Sequence, residues 1–145
     1  MKLLLHLVLL FALVSPSPTH ADEVYPRTGF ATKLSTNAHG VRGSAEIVDA
    51  RTIRLSHFYY DGAGPKVFVY LATANTQAAI SNGIAIGNEL SHTAYSDATI
   101  TVTLPISGPI LDGYSTISIW CVEFKVNFGS GVFLQNTYLP IVLSN

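Results

Sequence analysis

The chain has 145 residues, of which 48% are hydrophobic and 12% are charged, and its formal net charge is −1. This length suits one domain with a core of its own. Because charged residues are about half as frequent as in an average domain and no basic cluster occurs, the composition argues against a nucleic-acid partner. It favours a β protein over a helical bundle, since uncharged polar residues must cover much of the surface.

The first 21 residues have the pattern of a secretory signal peptide. Lys2 supplies a positive charge, residues 3–14 are apolar but too few to span a bilayer, and cleavage is expected after Ala21. The predicted mature product is one secreted domain, residues 22–145. In this part of the chain no run reaches the roughly 18 apolar residues that a membrane helix requires, so we expect no transmembrane anchor.

The first strand-like runs after this segment predict a β-hairpin. Residues 41–48 alternate small or apolar residues with polar ones, and residues 51–60 continue as a second strand after the short turn Asp49-Ala50. The bulky residues of the second strand change parity part-way. This change indicates either that both faces are covered or that a β-bulge lies near Ser56-His57.

The later part of the chain contains further short strand patterns. Residues 66–71 are apolar on both faces and predict an interior strand, whereas residues 131–136 could pair with residues 126–128 across Gly129-Ser130. Other predicted strands are residues 83–86, 99–104 and 116–122. About seven or eight short strands with almost no helix predict an all-β fold, a single-domain antiparallel sandwich or a barrel-like sheet.

The only cysteine, Cys121, stands next to the only tryptophan, Trp120. A lone cysteine cannot form an internal disulfide, which leaves a buried thiol, a reactive thiol or an intermolecular disulfide. Strand alternation places Cys121 on the same face as Ile117 and Ile119, which favours burial. Trp120 then points to the opposite face, where we expect it to pack in a core.

Five short motifs carry a resemblance to a known family. They are Ala38-His39-Gly40-Val41-x-Gly43, Val48-Asp49-x-x-Thr52, Phe58-x-Tyr60-Asp61-Gly62-x-Gly64-Pro65, Thr103-Leu104-Pro105 and Ile119-Trp120-Cys121-x-x-Phe124-x-Val126-x-Phe128-Gly129. In order and spacing they resemble the DM13 domain, and the likeness extends over about residues 29–134.

The resemblance implies an all-β fold and a redox function. DM13 domains occur in secreted or surface proteins, often beside DOMON domains, and the family cysteine is proposed to act in electron transfer or in oxidative modification of extracellular proteins. Here that cysteine is Cys121. Since the chain carries a single DM13-like domain without a DOMON domain, we expect any electron donor or acceptor to be a separate molecule, such as an extracellular or cell-surface protein.

The remaining motif residues have structural interpretations beside functional ones. Asp61, Gly62, Gly64 and Pro65 predict a tight turn, with calcium binding by the single carboxylate as the alternative. Gly43 belongs to the first motif, and we expect a structural role for it, since glycine allows backbone conformations that other residues rarely adopt.

Metal binding is a weaker prediction. His39 and His57 are the candidate ligands, and His92 is the remaining histidine of residues 22–145. A thiolate with one histidine leaves copper or haem iron open, although no cofactor is required by the sequence. No Gly-x-Ser-x-Gly, paired-carboxylate or phosphate-loop motif supports hydrolysis.

Two hypotheses from different classes follow. The first is a small secreted redox module with Cys121 as its centre. The second is a β-sandwich adhesion or interaction module without catalysis, in which the cysteine fills the core. Either one is a redox or binding module rather than a stand-alone enzyme.

Overall fold

A computed structural model describes residues 24–104 and 110–135, and the predicted signal peptide lies outside these residues. The described part contains eight β-strands, one short α-helix and one turn of 3₁₀ helix. The strands are β1 (Ala31–Lys33), β2 (Arg42–Ile47), β3 (Thr52–Tyr60), β4 (Val67–Ala72), β5 (Ile84–Ile86), β6 (Tyr95–Thr103), β7 (Thr116–Cys121) and β8 (Val126–Val132); the helix is α1 (Gln77–Ser81), and the 3₁₀ turn is Ile110–Gly113.

The strands form two antiparallel sheets of four strands each. One sheet has the order β1-β2-β3-β6, and the other has the order β5-β4-β7-β8. The sheets face each other across a common core, and an antiparallel bridge between Ala31 and Leu134 links β1 to the end of β8. The predicted all-β class is therefore confirmed, and of the two predicted architectures the fold is the sandwich rather than a closed barrel.

The core explains the alternation of the strands. In β3, Ile53 and Leu55 are fully buried while Arg54 between them is exposed, as expected for a sheet with one covered face. β4 lies between β5 and β7, as predicted for an interior strand. From the facing sheet the core receives mainly aliphatic side chains of β4 and β7, namely Val67, Val69, Leu71, Ile117 and Ile119.

The predicted hairpin occurs, and of the two alternatives for the second strand the structure shows the bulge. β2 pairs with β3, and the pairing of β3 with β6 shifts between Leu55 and Phe58. His57 lies in this shift with a φ of 50°, in the left-handed region that marks a bulge residue. Opposite it, Gly43 has a φ of 136°, and a Cβ there would lie 2.8 Å from the His57 carbonyl oxygen. Gly43 therefore accommodates the close approach of the two bulged strands.

Trp120 packs on the outer face of the second sheet, as predicted. It forms a separate buried cluster with Ala72 and Ile80, the latter from α1. Thr76 caps this helix by accepting a hydrogen bond from the Ala79 N–H. α1 covers Trp120, and β7 is consequently buried on both faces. Within the described ranges, no helix is long and apolar enough to cross a membrane.

The predicted pairing of residues 131–136 with residues 126–128 is wrong. Residues 126–132 form one strand, β8, which pairs with β7 from Thr116↔Val132 to Cys121↔Val126. The chain reverses before β8, at residues 122–125, where Lys125 has a φ of 52°. A turn at Gly129-Ser130 would have left this edge of β7 without hydrogen bonds, a costly arrangement for a strand buried on both faces.

Candidate functional site

Residues from separate motifs meet at one end of the sandwich. The turn that holds His39 contacts the loop that follows β3, since the His39 Nδ1 lies 3.0 Å from an Asp61 carboxylate oxygen. The His39 ring packs on Phe128 of β8 with a centroid distance of 4.2 Å. The same loop reaches Cys121 at the end of β7, whose Sγ lies 3.0 Å from the Pro65 carbonyl oxygen. We refer to His39, Tyr60, Asp61, Cys121 and Phe128 as the motif cluster.

Cys121 is fully buried, as its strand parity predicted. Its Sγ–H donates to the Pro65 carbonyl, a hydrogen bond that only the protonated thiol can make. Thiol–disulfide exchange requires direct contact between sulfur atoms. An intermolecular disulfide through Cys121 would therefore require the end of the sandwich to open.

Tyr60 is near enough to Cys121 to interact with it electrostatically, and its side chain is also buried. Its hydroxyl accepts a hydrogen bond from the Gly64 N–H at 3.0 Å and donates to the Gly64 carbonyl at 3.4 Å. Burial raises the pKa of Tyr60; the Gly64 backbone opposes this, while the charge of the Asp61 carboxylate adds to it. The phenol therefore remains protonated at neutral pH. Sequence reasoning did not single Tyr60 out, although its place directly before Asp61-Gly62 in a motif was a usable signal.

Asp61 is held by two partners. The Ala63 N–H donates to Asp61 Oδ1 at 2.8 Å, and His39 approaches both carboxylate oxygens. Burial alone would raise the pKa of Asp61, but the Ala63 hydrogen bond and His39 outweigh it, so the pKa is lowered from 3.8. The ionised carboxylate thus orders the loop that carries Gly64 and Pro65.

The backbone of the loop after β3 agrees with the tight turn that was predicted for residues 61–65. Gly62 has a φ of 77°, and a Cβ there would lie 2.8 Å from the Thr93 carbonyl carbon. Gly64 has no room for a Cβ either, because one would lie 2.7 Å from a Val67 methyl group and overlap the Phe128 ring. Both glycines are therefore needed for the chain to pass so close to its neighbours.

We expect Asp61→Asn to lower stability by less than about 1 kcal/mol near neutral pH, since the carboxylate is half exposed. A carboxyl group whose pKa is lowered by folding stabilises the fold above its unfolded pKa, and this stabilisation is lost as the pH falls through the folded pKa. The difference between native chain and variant should therefore shrink below pH 3.8. Urea unfolding at several pH values measures the difference in the free energy of unfolding between the native chain and Asp61→Asn. A difference that stays constant down to about pH 2 would contradict this role.

The candidate metal ligands do not come together. His39 pairs with Asp61, whereas His57 pairs with Asp97 at 2.8 Å and is 81% exposed. Within residues 24–104 and 110–135, no three His, Cys, Asp or Glu side chains are grouped so as to hold a metal ion. The structure thus shows two separate His–Asp pairs, of which one belongs to the motif cluster.

A surface groove of about 360 Å³ lies beside the motif cluster. Its walls come from the turn before β2, from the starts of β2 and β6, and from the end of β3 with the loop after it. The lining residues are His39, Gly40, Arg42, Tyr59, Tyr60, Asp61, Ala94, Tyr95 and Ser96. The Arg42 guanidinium lies over the Tyr59 ring, with its Cζ 3.5 Å from the ring centroid. The groove is the surface through which a ligand would reach Tyr60.

A family profile described as "Electron transfer DM13" matches residues 33–133. The chain belongs to the DM13 family. This confirms the resemblance carried by the five motifs. Protein Skeletor isoforms B/C and isoforms D/E from Drosophila melanogaster are each 35% identical over 138 residues, which is 90% of this chain. The DM13 chain spans only 17% and 9% of the length of those relatives, respectively. No solved structure gives a significant match.

Several residues of the DM13 motifs lie close together in the folded domain. His39, Asp61, Phe128 and Cys121 come from three different motifs and meet at one end of the sandwich. Trp120, although adjacent to Cys121, faces away from it under α1. The DM13 motifs therefore include both the cluster and residues that only support the fold.

Proposed function

We propose that this DM13 domain is a secreted electron-transfer module in which Cys121 is the redox centre. The main observation in support is that Cys121 and Tyr60 form hydrogen bonds with adjacent residues of one loop, Pro65 and Gly64, respectively. Tyr60 in turn contacts His39 and lines the groove. The family description supports electron transfer as the class of reaction.

The burial of Cys121 favours electron transfer over thiol exchange. An electron can leave a buried group through packed side chains, whereas exchange needs an exposed thiolate. In the proposed step, a separate one-electron oxidant accepts one electron from Cys121 as the S–H bond breaks. A thiyl radical, the reduced oxidant and one proton result, and the proton passes to water. The Tyr60 ring is placed to extend the route towards a partner at the groove.

The partner is proposed to be an extracellular or cell-surface protein that carries the oxidant. The groove is lined in part by His39, Tyr60 and Asp61 of the motif cluster. A partner docked there approaches Cys121 without opening the core. Copper or haem held by the domain itself is not part of the proposal, since Cys121 already donates to Pro65 and His39 is paired with Asp61.

The second candidate is a non-catalytic interaction module with a structural cysteine. The observation in its favour is a set of exposed apolar side chains around the turn between β7 and β8. Phe124 is 66% exposed, and Val122 and Val126 are partly exposed beside it. Side chains of this type at the tip of a hairpin could contact another protein. In this case Cys121 only fills the end of the core.

The two functions are distinguished by oxidising the folded chain with hexachloroiridate(IV), a one-electron oxidant strong enough to convert a thiol to a thiyl radical. We expect the native chain to consume one equivalent more than Cys121→Ser or Cys121→Ala, which preserve and remove the polar atom at this position, respectively. Stopped-flow absorbance measures the consumption, and circular dichroism checks that each variant is folded. His57→Asn, at an exposed His–Asp pair, should react like the native chain.

A native chain that consumes no more hexachloroiridate(IV) than a chain without the Cys121 thiol would exclude Cys121 as a redox centre and favour the interaction module. Equal consumption by the native chain and both Cys121 variants would place the reaction elsewhere. The redox function is supported if folded Cys121→Ser loses the one equivalent of oxidant consumption and His57→Asn retains it.

A further inference from the structure

His39 presents an unused hydrogen-bond acceptor at the groove. Its Nδ1 lies 3.0 Å from Asp61 Oδ2. Because an ionised carboxylate only accepts, Nδ1 carries the hydrogen, and in the neutral ring the Nε2 lone pair remains available. No described residue donates to Nε2, and about a third of the side chain is exposed. This nitrogen can accept a hydrogen bond from a ligand hydroxyl.

Arg42 supplies a cation to the same groove. Its guanidinium stacks on Tyr59, and its Nη1 donates to the Gly40 carbonyl at 3.3 Å. The stacking fixes the plane of the guanidinium, while the side chain remains exposed. An arginine held in this way keeps donors on its edge that match the two oxygens of a carboxylate.

Tyr59 and Tyr95, which are partly exposed, supply aromatic surface to the remaining wall, whereas Tyr60 is buried behind it. Tyr59, Tyr60 and Tyr95 all line the groove, and Tyr95 is packed in place against Phe58 with ring centroids 5.3 Å apart. The groove has a volume of about 360 Å³, which suits a small ligand. Flat rings in the wall favour a planar aromatic ligand, since ring contacts add to the area that is buried.

We propose that the groove binds a single-ring aromatic acid that carries a phenolic hydroxyl. In this arrangement the hydroxyl donates to His39 Nε2, the carboxylate accepts from Arg42, and the ring packs against Tyr59 and Tyr95. Its hydrogen bond with Asp61 keeps His39 in the tautomer that carries the hydrogen on Nδ1. Asp61 itself does not contact the ligand. The site does not depend on redox activity of Cys121, so binding and electron transfer can succeed or fail separately.

The test compares three probes, para-hydroxybenzoate, benzoate and phenol, by titration calorimetry with the native chain. Benzoate lacks the hydroxyl, and phenol lacks the carboxylate. We expect para-hydroxybenzoate to bind about tenfold more tightly than either, the effect of one well-made hydrogen bond or ion pair. His39→Asn should remove the advantage over benzoate, and Arg42→Gln should remove the advantage over phenol.

The chain offers a matched control in its second His–Asp pair. His57 also has a positive φ and pairs through Nδ1 with an aspartate, but it does not line the groove. His57→Asn should leave all three affinities unchanged. Asparagine is chosen at both positions because it tolerates a positive φ.

Amide chemical shifts of the native chain provide a second measurement that needs no variant. We expect para-hydroxybenzoate to shift the signals of Arg42, Tyr59 and Tyr95 and to leave that of His57 in place. Absence of saturable binding by the native chain would overturn the proposal. Shifts confined to other surfaces, or a preference for the hydroxyl that survives His39→Asn, would also overturn it.

Discussion

Trp120→Ala is expected to destabilise the domain by about 4 kcal/mol, the usual range for removing a fully buried large aromatic side chain. Trp120 is only 2% exposed, and it fills the space between Ala72 on β4 and Ile80 on α1. Its ring also contacts that of Tyr70 at a centroid distance of 6.3 Å. Removing it would leave a cavity that a helix of five residues cannot close. Urea unfolding followed by circular dichroism measures the loss.

The neighbouring aromatic residue Phe124 provides the control. It lies in the turn after β7 and is 66% exposed, so Phe124→Ala should change the free energy of unfolding by no more than about 0.5 kcal/mol. Similar losses for the two variants would show that Trp120 does not fill a core. Because the Trp120 and Cys121 side chains lie in separate clusters, mild substitutions such as Trp120→Phe should retain the Cys121 reaction with hexachloroiridate(IV).

Gly129→Ala should destabilise the domain by about 3 kcal/mol, at the upper end of the cost of overpacking. A Cβ at this position would overlap the Ser35 carbonyl oxygen and lie 2.5 Å from a Val41 methyl group. Neither can move freely, because the Ser35 N–H donates to the Ser130 carbonyl and Val41 is fully buried. Since the strain falls next to Phe128, the motif cluster should also be disturbed.

Gly113→Ala is the matched control for this substitution. Nothing described lies within 4 Å of a Cβ at Gly113, so its effect should stay within about 0.5 kcal/mol. Thermal or urea unfolding of the two variants compares them directly. If Gly129→Ala is as stable as Gly113→Ala, the close approach of β8 to the segment after β1 is not a constraint on the fold.

Local patterns were sufficient for most of the strands. The alternation in residues 99–104 and the two-sided apolar run in residues 66–71 predicted β6 and β4, because burial of one or both faces of a strand is recorded directly in its sequence. The same rule placed Cys121 and Trp120 on opposite faces. The turn between β7 and β8 was misplaced because Gly129-Ser130 has turn composition, and only pairing with β7 makes it part of a strand.

The local sequence pattern also did not predict α1. A helix of five residues is too short to show a helical period, and it is stabilised by packing on Trp120 rather than by its own sequence. The cap at Thr76 was the available signal, but a single threonine before a polar residue is common in loops.

From the sequence alone one can determine the all-β class, the DM13 family and the inward face of Cys121, since these depend on residue periodicity and on motif order. The tertiary structure decided which residues meet. His39 reaches Asp61 across 22 positions, and Cys121 reaches Pro65 across 56. Such contacts depend on how the two sheets pair and pack, and no short segment contains that information. Cys121 therefore gains Tyr60 as a neighbour, and His39 gains a free nitrogen at the groove, only when the sandwich has formed.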